Sequence, residues 1–115
     1  MRKKSWITIA LVIAVLVLSL TIILRGSNSS VEKETAKCIG SKAVLYVQLG
    51  CGACETQEKM FGNNLEYISK IDCFYERDLC IEKQIRGTPT WIINEEQYLG
   101  VKDIQELKEL TGCLQ

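Results

Sequence analysis

The chain has 115 residues, with 14 basic and 14 acidic side chains, six cysteines and no histidine. This length allows one small domain and one further segment, and the lack of histidine excludes imidazole catalysis and His-ligated metal sites in these residues. Residues 1–30 hold four basic side chains and no acidic one, so the other 85 residues carry ten basic and fourteen acidic side chains, a net charge near −4. That acidic balance predicts no nucleic-acid partner.

The first segment is an uncharged run of nineteen residues, Trp6 to Leu24, behind basic residues at positions 2–4. As a helix it spans roughly 28 Å, close to the ~30 Å hydrocarbon core of a bilayer. We therefore predict that residues 1–25 are a cytoplasmic N-terminus and a single-pass signal anchor in the cell membrane, with the remaining chain outside. A cleaved signal peptide is the alternative, which the length of the run and the lack of a small-x-small cleavage site disfavour.

The rest of the chain divides into a predicted linker and a predicted domain. Residues 26–42 are expected to be the linker, because Gly26–Ser30 is serine-rich and the following twelve residues are mostly polar. The domain at 43–115 has these expected elements: strand 43–49, helix 52–61, a helical piece at 64–69, strand 71–75, helix 78–85, a turn at 87–89, a hairpin of strands 90–93 and 97–101, and a last helix from the cap Asp103 to Leu110, stopped by Gly112. This order predicts an α/β domain, a four-stranded mixed sheet flanked by helices, whose first two strands are parallel.

Cys51-Gly52-Ala53-Cys54 lies at the junction between the first strand and the first helix of the domain. A Cys-x-x-Cys motif at such a junction indicates a thiol–disulfide redox site. Unpaired backbone N–H groups and the dipole at a helix N-terminus stabilise a thiolate, which lowers the thiol pKa from about 8.5. We predict that Cys51 is the nucleophile and that Cys54, one turn on, is the resolving thiol. The Cys51–Cys54 disulfide is then the redox centre itself, so no separate cofactor is predicted.

The Cys-x-x-Cys motif, together with Gly87-Thr88-Pro89-Thr90-Trp91, resembles the thioredoxin superfamily. The resemblance implies a thioredoxin-like fold in which the proline before the hairpin is cis and faces the cysteine pair. Pro89 is the only proline in the chain. The resemblance also implies that the backbone of Thr88 binds an extended substrate, so Thr88 and Pro89 are predicted to be substrate-binding residues.

A further set of short motifs looks like one subgroup, the thioredoxin-like domain fused to or paired with vitamin K epoxide reductase homologues. These motifs are Phe61-Gly62, Asp72-Cys73, Cys80, Tyr98-Leu99-Gly100-Val101 and Leu110-Thr111-Gly112-Cys113, within residues 43–113. The resemblance implies an extracytoplasmic thiol–disulfide oxidoreductase that introduces disulfides into secreted proteins and is reoxidised by a quinone-linked membrane enzyme. These 115 residues hold no four-helix reductase domain, so we expect that partner to be a separate protein.

Two positions depart from the thioredoxin pattern. Gly50 stands where many thioredoxins have tryptophan, and Leu45 stands where they have a buried aspartate. The proton acceptor for Cys54 is therefore left open. Glu55 or Glu58 are candidates through a water molecule, although a solvated charge is the more usual role on a helix face.

The other four cysteines are predicted to form structural or auxiliary redox disulfides. Strand 43–49 runs towards the redox pair, so Cys38, which precedes it, lies at the opposite end of the sheet. The last helix runs back to that same end and brings Cys113 there. We therefore predict the pair Cys38–Cys113, which leaves Cys73 and Cys80 as partners.

Three other functions compete with a disulfide-forming enzyme. Four thiolates, from Cys51, Cys54, Cys73 and Cys80, are enough for a zinc site, but structural zinc sites usually have a tighter second pair, so no metal is predicted. A reductase of the cytochrome-maturation type is the second alternative, because the motif leaves the direction of electron flow open. The third is a soft-metal chaperone that uses Cys51 and Cys54 as ligands.

Overall fold

The computed structural model describes residues 2–24 and 31–114. Its elements are α1 (Arg2–Leu24), α2 (Lys33–Lys42), β1 (Ala43–Val47), α3 (Gly52–Lys59), a 3₁₀ helix (Gly62–Tyr67), β2 (Ser69–Asp72), α4 (Arg77–Glu82), β3 (Thr90–Ile93), β4 (Glu96–Leu99) and α5 (Ile104–Thr111). Every element predicted after residue 43 is present. The largest differences in the predicted bounds are three residues, at the ends of β2 and α4.

The four strands form one mixed sheet in the order β2-β1-β3-β4. Strand β1 pairs in parallel with β2 and antiparallel with β3, and β3 pairs antiparallel with β4. A parallel pair needs a crossover connection, and α3 with the 3₁₀ helix supplies it between β1 and β2. This four-stranded mixed sheet with flanking helices is the thioredoxin-like arrangement, which confirms the predicted fold class.

One face of the central strands carries the core. Side chains alternate across a strand, and Leu45 of β1 and Trp91 of β3 are both fully buried in the same cluster. Helices contribute Ala36, Ile39, Cys54 and Leu107 to that cluster, and Phe61 joins it from the segment between α3 and the 3₁₀ helix. Tyr46 points to the opposite face, where burial and then the charge of Glu82 raise the pKa of its hydroxyl. Helix α4 therefore lies on the side of the sheet away from the main core.

Helix α2 corrects the prediction that residues 26–42 form a linker. It is a ten-residue helix, and its Ala36 and Ile39 are fully buried in the core. These two side chains and Thr35 are its only buried residues, so the helix gains its stability from packing rather than from composition. The prediction is wrong for residues 31–42, and residues 26–30 lie outside the described part of the chain.

Two contacts attach α2 and the segment before it to the 3₁₀ helix. The side-chain amide of Asn64 donates a hydrogen bond to the backbone oxygen of Val31, which is itself buried. At the other end of α2, a Cβ atom on Gly40 would overlap the carbonyl oxygen of Tyr67. Glycine at position 40 therefore permits the close approach of the two helices.

Helix α1 contains the predicted anchor. It has 23 residues, an 18-residue stretch of it has a mean hydropathy of 3.1, and none of its described side chains is buried against the rest of the chain. Its length corresponds to roughly 35 Å. By length and composition, α1 can cross a bilayer.

Helix α5 begins and ends as the sequence predicts. The carboxylate of Asp103 accepts a hydrogen bond from the backbone N–H of Glu106 at 2.8 Å, which satisfies one of the unpaired donors of the first turn. Gly112 follows the helix with a φ of 76°, the left-handed conformation that favours glycine. Leu107, in the middle of the helix, is fully buried.

Candidate active site

The strand-to-helix junction places two cysteine sulfurs in different environments. Cys51 is the N-cap of α3, and its Sγ accepts a hydrogen bond from the backbone N–H of Cys54 at 3.1 Å. Cys51 is partly exposed, whereas Cys54 is 3% exposed. The two form a disulfide with Cα atoms 5.2 Å apart. An incoming thiolate therefore meets Cys51 first, and a thiolate formed on Cys51 has an N–H donor already aimed at it.

A tight turn connects β1 to this helix. The backbone N–H of Cys51 donates to the carbonyl of Gln48 at 3.0 Å, and Gly50 between them has a φ of 83°. A side chain with a Cβ is strained at that φ. This accounts for glycine where the thioredoxin pattern has tryptophan.

The loop before β3 faces the reactive sulfur. The peptide bond between Thr88 and Pro89 is cis, as the resemblance implied. The carbonyl oxygen of Thr88 lies 3.6 Å from Cys51 Sγ, and the Thr88 hydroxyl donates to the same sulfur at 3.5 Å. The hydroxyl of Thr90 donates to Gly87 at 2.7 Å and holds the loop in place. The structure therefore brings together Cys51, Thr88 and Pro89, which the sequence placed at one site.

Asp72, at the end of β2, connects two loops beside the site. One of its carboxylate oxygens accepts hydrogen bonds from the backbone N–H groups of Leu49, at 3.2 Å, and Phe74, at 2.8 Å. The first bond fixes the residue just before the turn to Cys51, and the second fixes the start of the segment that leads to α4. The sequence analysis gave Asp72 no role beyond its place in a motif.

Gln57 is a buried polar residue that the sequence analysis missed. Its side chain is fully buried, and its Oε1 accepts hydrogen bonds from Trp91 Nε1 at 3.0 Å and from the backbone N–H of Lys102 at 2.7 Å. Its Nε2 donates to the carbonyl of Lys102 at 2.9 Å. Cys54, Gln57 and Phe61 follow each other at helical spacing, and this spacing was the available signal that Gln57 faces inwards. One amide thus attaches α3 to β3 and to the segment before α5.

Replacing Gln57 with alanine is expected to destabilise the domain by about 3 kcal/mol, because the Trp91 indole and the Lys102 peptide lose buried partners. Urea unfolding of the full chain in detergent measures the change. Gln105→Ala is the matched control, since that glutamine bonds only to Glu109 on the exposed face of α5, and its effect is expected within about 0.5 kcal/mol. Equal effects of the two changes would refute the role of Gln57.

The two candidate proton acceptors for Cys54 lie on α3. Glu58 forms an ion pair with Lys70 at 3.3 Å, and Glu55 is exposed on the first turn of the helix. Leu45 is fully buried, so the position of the usual aspartate is apolar here. The use of Glu55 or Glu58 through water stays a prediction.

The other four cysteines form the two pairs that the topology suggested. Cys38 of α2 is bonded to Cys113 after α5, with Cα atoms 6.0 Å apart, and Cys73 is bonded to Cys80 of α4, with Cα atoms 5.7 Å apart. The four cysteines that were considered as zinc ligands therefore lie in two separate disulfides, Cys51–Cys54 and Cys73–Cys80. Within residues 2–24 and 31–114, no group of three or more cysteine or carboxylate side chains has the arrangement of a metal site.

The chain is similar to curated proteins and to solved structures. An alignment of 97 residues shows 34% identity to the thiol-disulfide oxidoreductase LTO1 of Arabidopsis thaliana, and it covers 76% of this chain and 26% of that protein. The chain therefore spans about a quarter of the length of this relative. The NTD_N/C domain of the alkylhydroperoxide reductase AhpF from Enterococcus faecalis has a TM-score of 0.44 at 20% identity, over 70% of this chain and 44% of that chain.

No family model matches the chain. The similarity to a thiol-disulfide oxidoreductase and the topology of the sheet support the resemblance to the thioredoxin superfamily.

Proposed function

We propose that this chain is a membrane-anchored thiol–disulfide oxidoreductase that works outside the cytoplasm and introduces disulfides into secreted proteins. The observation that carries this proposal is the environment of Cys51, which caps α3, accepts the N–H of Cys54 and touches Thr88. These contacts give one sulfur that is accessible and stabilised as a leaving thiolate, next to a loop on which an extended chain can lie.

The proposed reaction consists of two successive thiol–disulfide exchanges. A substrate thiolate attacks Cys51 Sγ, the Cys51–Cys54 bond breaks, and Cys54 leaves as a thiolate that takes up a proton. A second substrate thiolate then attacks the substrate sulfur of the mixed disulfide and releases Cys51. The substrate loses two electrons and two protons, and Cys51 and Cys54 gain them.

The reduced pair must be oxidised again before another turnover. The resemblance to domains fused to or paired with vitamin K epoxide reductase homologues supports a quinone-linked membrane protein of that kind as the oxidant. In that step, the Cys51 thiolate attacks a disulfide of the partner, and Cys54 releases the partner with both of its sulfurs reduced. The Arabidopsis relative is a thiol-disulfide oxidoreductase, and that activity agrees with this chemistry.

The proposed location rests on α1 and the charges before it. Three basic residues precede the apolar run, which favours a cytoplasmic N-terminus and an external domain. Protease added to intact cells that lack an outer wall is expected to digest residues 31–114 and to leave α1 in the membrane fraction. Protection of residues 31–114 from the protease would show the opposite orientation.

The function is tested with the full chain in detergent micelles. Its oxidised form is mixed with a reduced, unfolded secreted protein that has two thiols, and we expect one substrate disulfide for each Cys51–Cys54 disulfide consumed. The double variant Cys51→Ala, Cys54→Ala is the control and should give only the background rate. Failure of the unmodified chain to exceed this control would refute the proposal.

The equilibrium reduction potential of Cys51–Cys54 tests the direction of electron flow. A value near −120 mV is expected for an oxidant, whereas a value near −270 mV would make the chain a reductase.

A further inference from the structure

A groove of about 460 Å³ opens beside the reactive cysteine pair. Its lining includes Thr88 at one end and, along α4 and the segments on either side of it, Phe74, Arg77, Ile81 and Arg86. This volume lies in the range that holds one or a few side chains of a ligand. Because Thr88 both lines the groove and touches Cys51 Sγ, a ligand that reaches Thr88 from the groove lies close to the reacting sulfur.

Two cations in this groove lack a partner. Arg77 and Arg86 both line it and are exposed. Among the ion pairs of residues 2–24 and 31–114, neither arginine takes part. The described residues that line the groove include no carboxylate. The nearby Asp72, which precedes the lining residue Cys73, is held by the N–H groups of Leu49 and Phe74. A guanidinium binds a carboxylate in a two-pronged geometry, so the groove offers two unsatisfied carboxylate sites.

Apolar side chains lie between these charges. Phe74 is 59% exposed and Ile81 is 64% exposed, although both line the groove. Exposed apolar side chains gathered in a cleft mark a protein-binding surface more often than a solvated one. Phe74 also packs edge-on against Tyr75, with ring centroids 5.0 Å apart. This contact restrains the orientation of its ring.

We propose that the groove selects substrate proteins in which the reacting cysteine is close to an acidic side chain and an apolar side chain. The carboxylate of the substrate pairs with Arg77 or Arg86, and the apolar side chain packs on Phe74 and Ile81. The substrate backbone then passes Thr88, so its thiol approaches Cys51. This inference rests on the proposed oxidase function, and it adds the class of substrate.

The test uses the full chain in detergent and short reduced peptides that have two cysteines and one leucine. Each peptide carries Glu, Gln or Lys at one position. Across the series, this position is moved along the peptide on both sides of the first cysteine. The oxidised chain is mixed with each peptide, and the rate of peptide oxidation is measured at low and high salt. Dithiothreitol serves as a small uncharged dithiol that does not fill the groove.

The variants are Arg77→Gln with Arg86→Gln, and the matched control is Lys83→Gln. Lys83 directly follows α4 and is exposed, but it does not line the groove. At the best position we expect the Glu peptide to react about tenfold faster than the Gln peptide, and the Lys peptide to react slowest. The double arginine variant should lose this preference while it still oxidises dithiothreitol at the unmodified rate. Lys83→Gln should keep the preference, and high salt should weaken it.

Different failures have different meanings. If Glu, Gln and Lys peptides react at equal rates at every position, the groove has no charge preference and the inference is wrong, while the oxidase function stands. If the double arginine variant slows dithiothreitol as much as the peptides, the arginines act on the disulfide itself and the inference is again wrong. If the unmodified chain oxidises neither peptides nor dithiothreitol, the proposed function fails and the groove proposal fails with it.

Discussion

Replacing Cys54 with alanine is expected to leave substrate proteins attached to Cys51 through mixed disulfides that persist for hours. Removal of the resolving thiol blocks the release of a mixed disulfide, whereas the accessible sulfur of Cys51 still reacts. The reverse change, Cys51→Ala, is expected to trap almost nothing, because Cys54 is 3% exposed. Turnover of either variant should fall at least about a thousandfold, to the background rate of thiol exchange.

Two measurements check this asymmetry. Non-reducing gels and mass spectrometry of the Cys54→Ala variant, expressed in cells, identify the trapped proteins, which should include secreted thiol proteins and a quinone-linked membrane reductase. In the reduced, unmodified chain, iodoacetamide at pH 6 should modify Cys51 alone. An ordinary cysteine with a pKa near 8.5 is only about 0.3% thiolate at that pH.

The double change Cys73→Ala, Cys80→Ala is the control for the trapping experiment, since it removes a disulfide outside the redox pair. It should keep turnover with small dithiols. Trapping by Cys51→Ala but not by Cys54→Ala would reverse the assigned roles, and equal reactivity of both thiols at pH 6 would contradict a stabilised Cys51 thiolate.

The second large effect concerns stability. Replacing both Cys38 and Cys113 with alanine is expected to destabilise the domain by roughly 4–5 kcal/mol. Their disulfide joins residues 75 positions apart, so it lowers the conformational entropy of nearly the whole unfolded domain. The relation between loop length and entropy gives a value of this size. It also attaches α2 to the end of α5, two helices that meet in the core. A domain with a typical stability of 5–15 kcal/mol would lose a large part of it.

Urea unfolding of the full chain in detergent, under non-reducing conditions, measures this effect. The matched control is the change of Cys73 and Cys80 to alanine, which opens a loop with a separation of only seven residues and should cost about 2–2.5 kcal/mol on the same relation. If the two double variants lose equal stability, loop length does not explain the effect. Peptide mapping that finds Cys73 joined to Cys113 would refute the pairing itself.

The sequence predicted the sheet well, because strands β1 and β3 are apolar runs bounded by clear turn residues. It did not predict α2. That helix has only three inward side chains, Thr35, Ala36 and Ile39, and the rest of it is as polar as a linker. Its position depends on contacts that are distant in sequence: the disulfide to Cys113 and the close approach at Gly40. Such contacts leave no periodic signal in a ten-residue segment.

The residues of the candidate site were likewise predictable only in part. Cys51, Cys54, Thr88 and Pro89 were predictable, because their chemistry demands particular residue types at particular spacings. Gln57 was not, because glutamine on a helix is usually solvated, and only the folded chain shows that it meets Trp91 and the Lys102 peptide. The groove was also missed, since its two arginines and its exposed apolar side chains, Phe74 and Ile81, belong to no motif.

The Cys73–Cys80 disulfide encloses a short, exposed segment of the chain. Among the residues of α4 only Cys80 is buried, and the segment follows β2, a strand at the edge of the sheet. Residues 74–79, which include Phe74 and Arg77 of the groove, thus form a surface segment whose two ends are joined by the disulfide. On the proposed function, a library randomised at these positions is expected to change which substrate proteins react, while Cys51 and Cys54 stay unchanged.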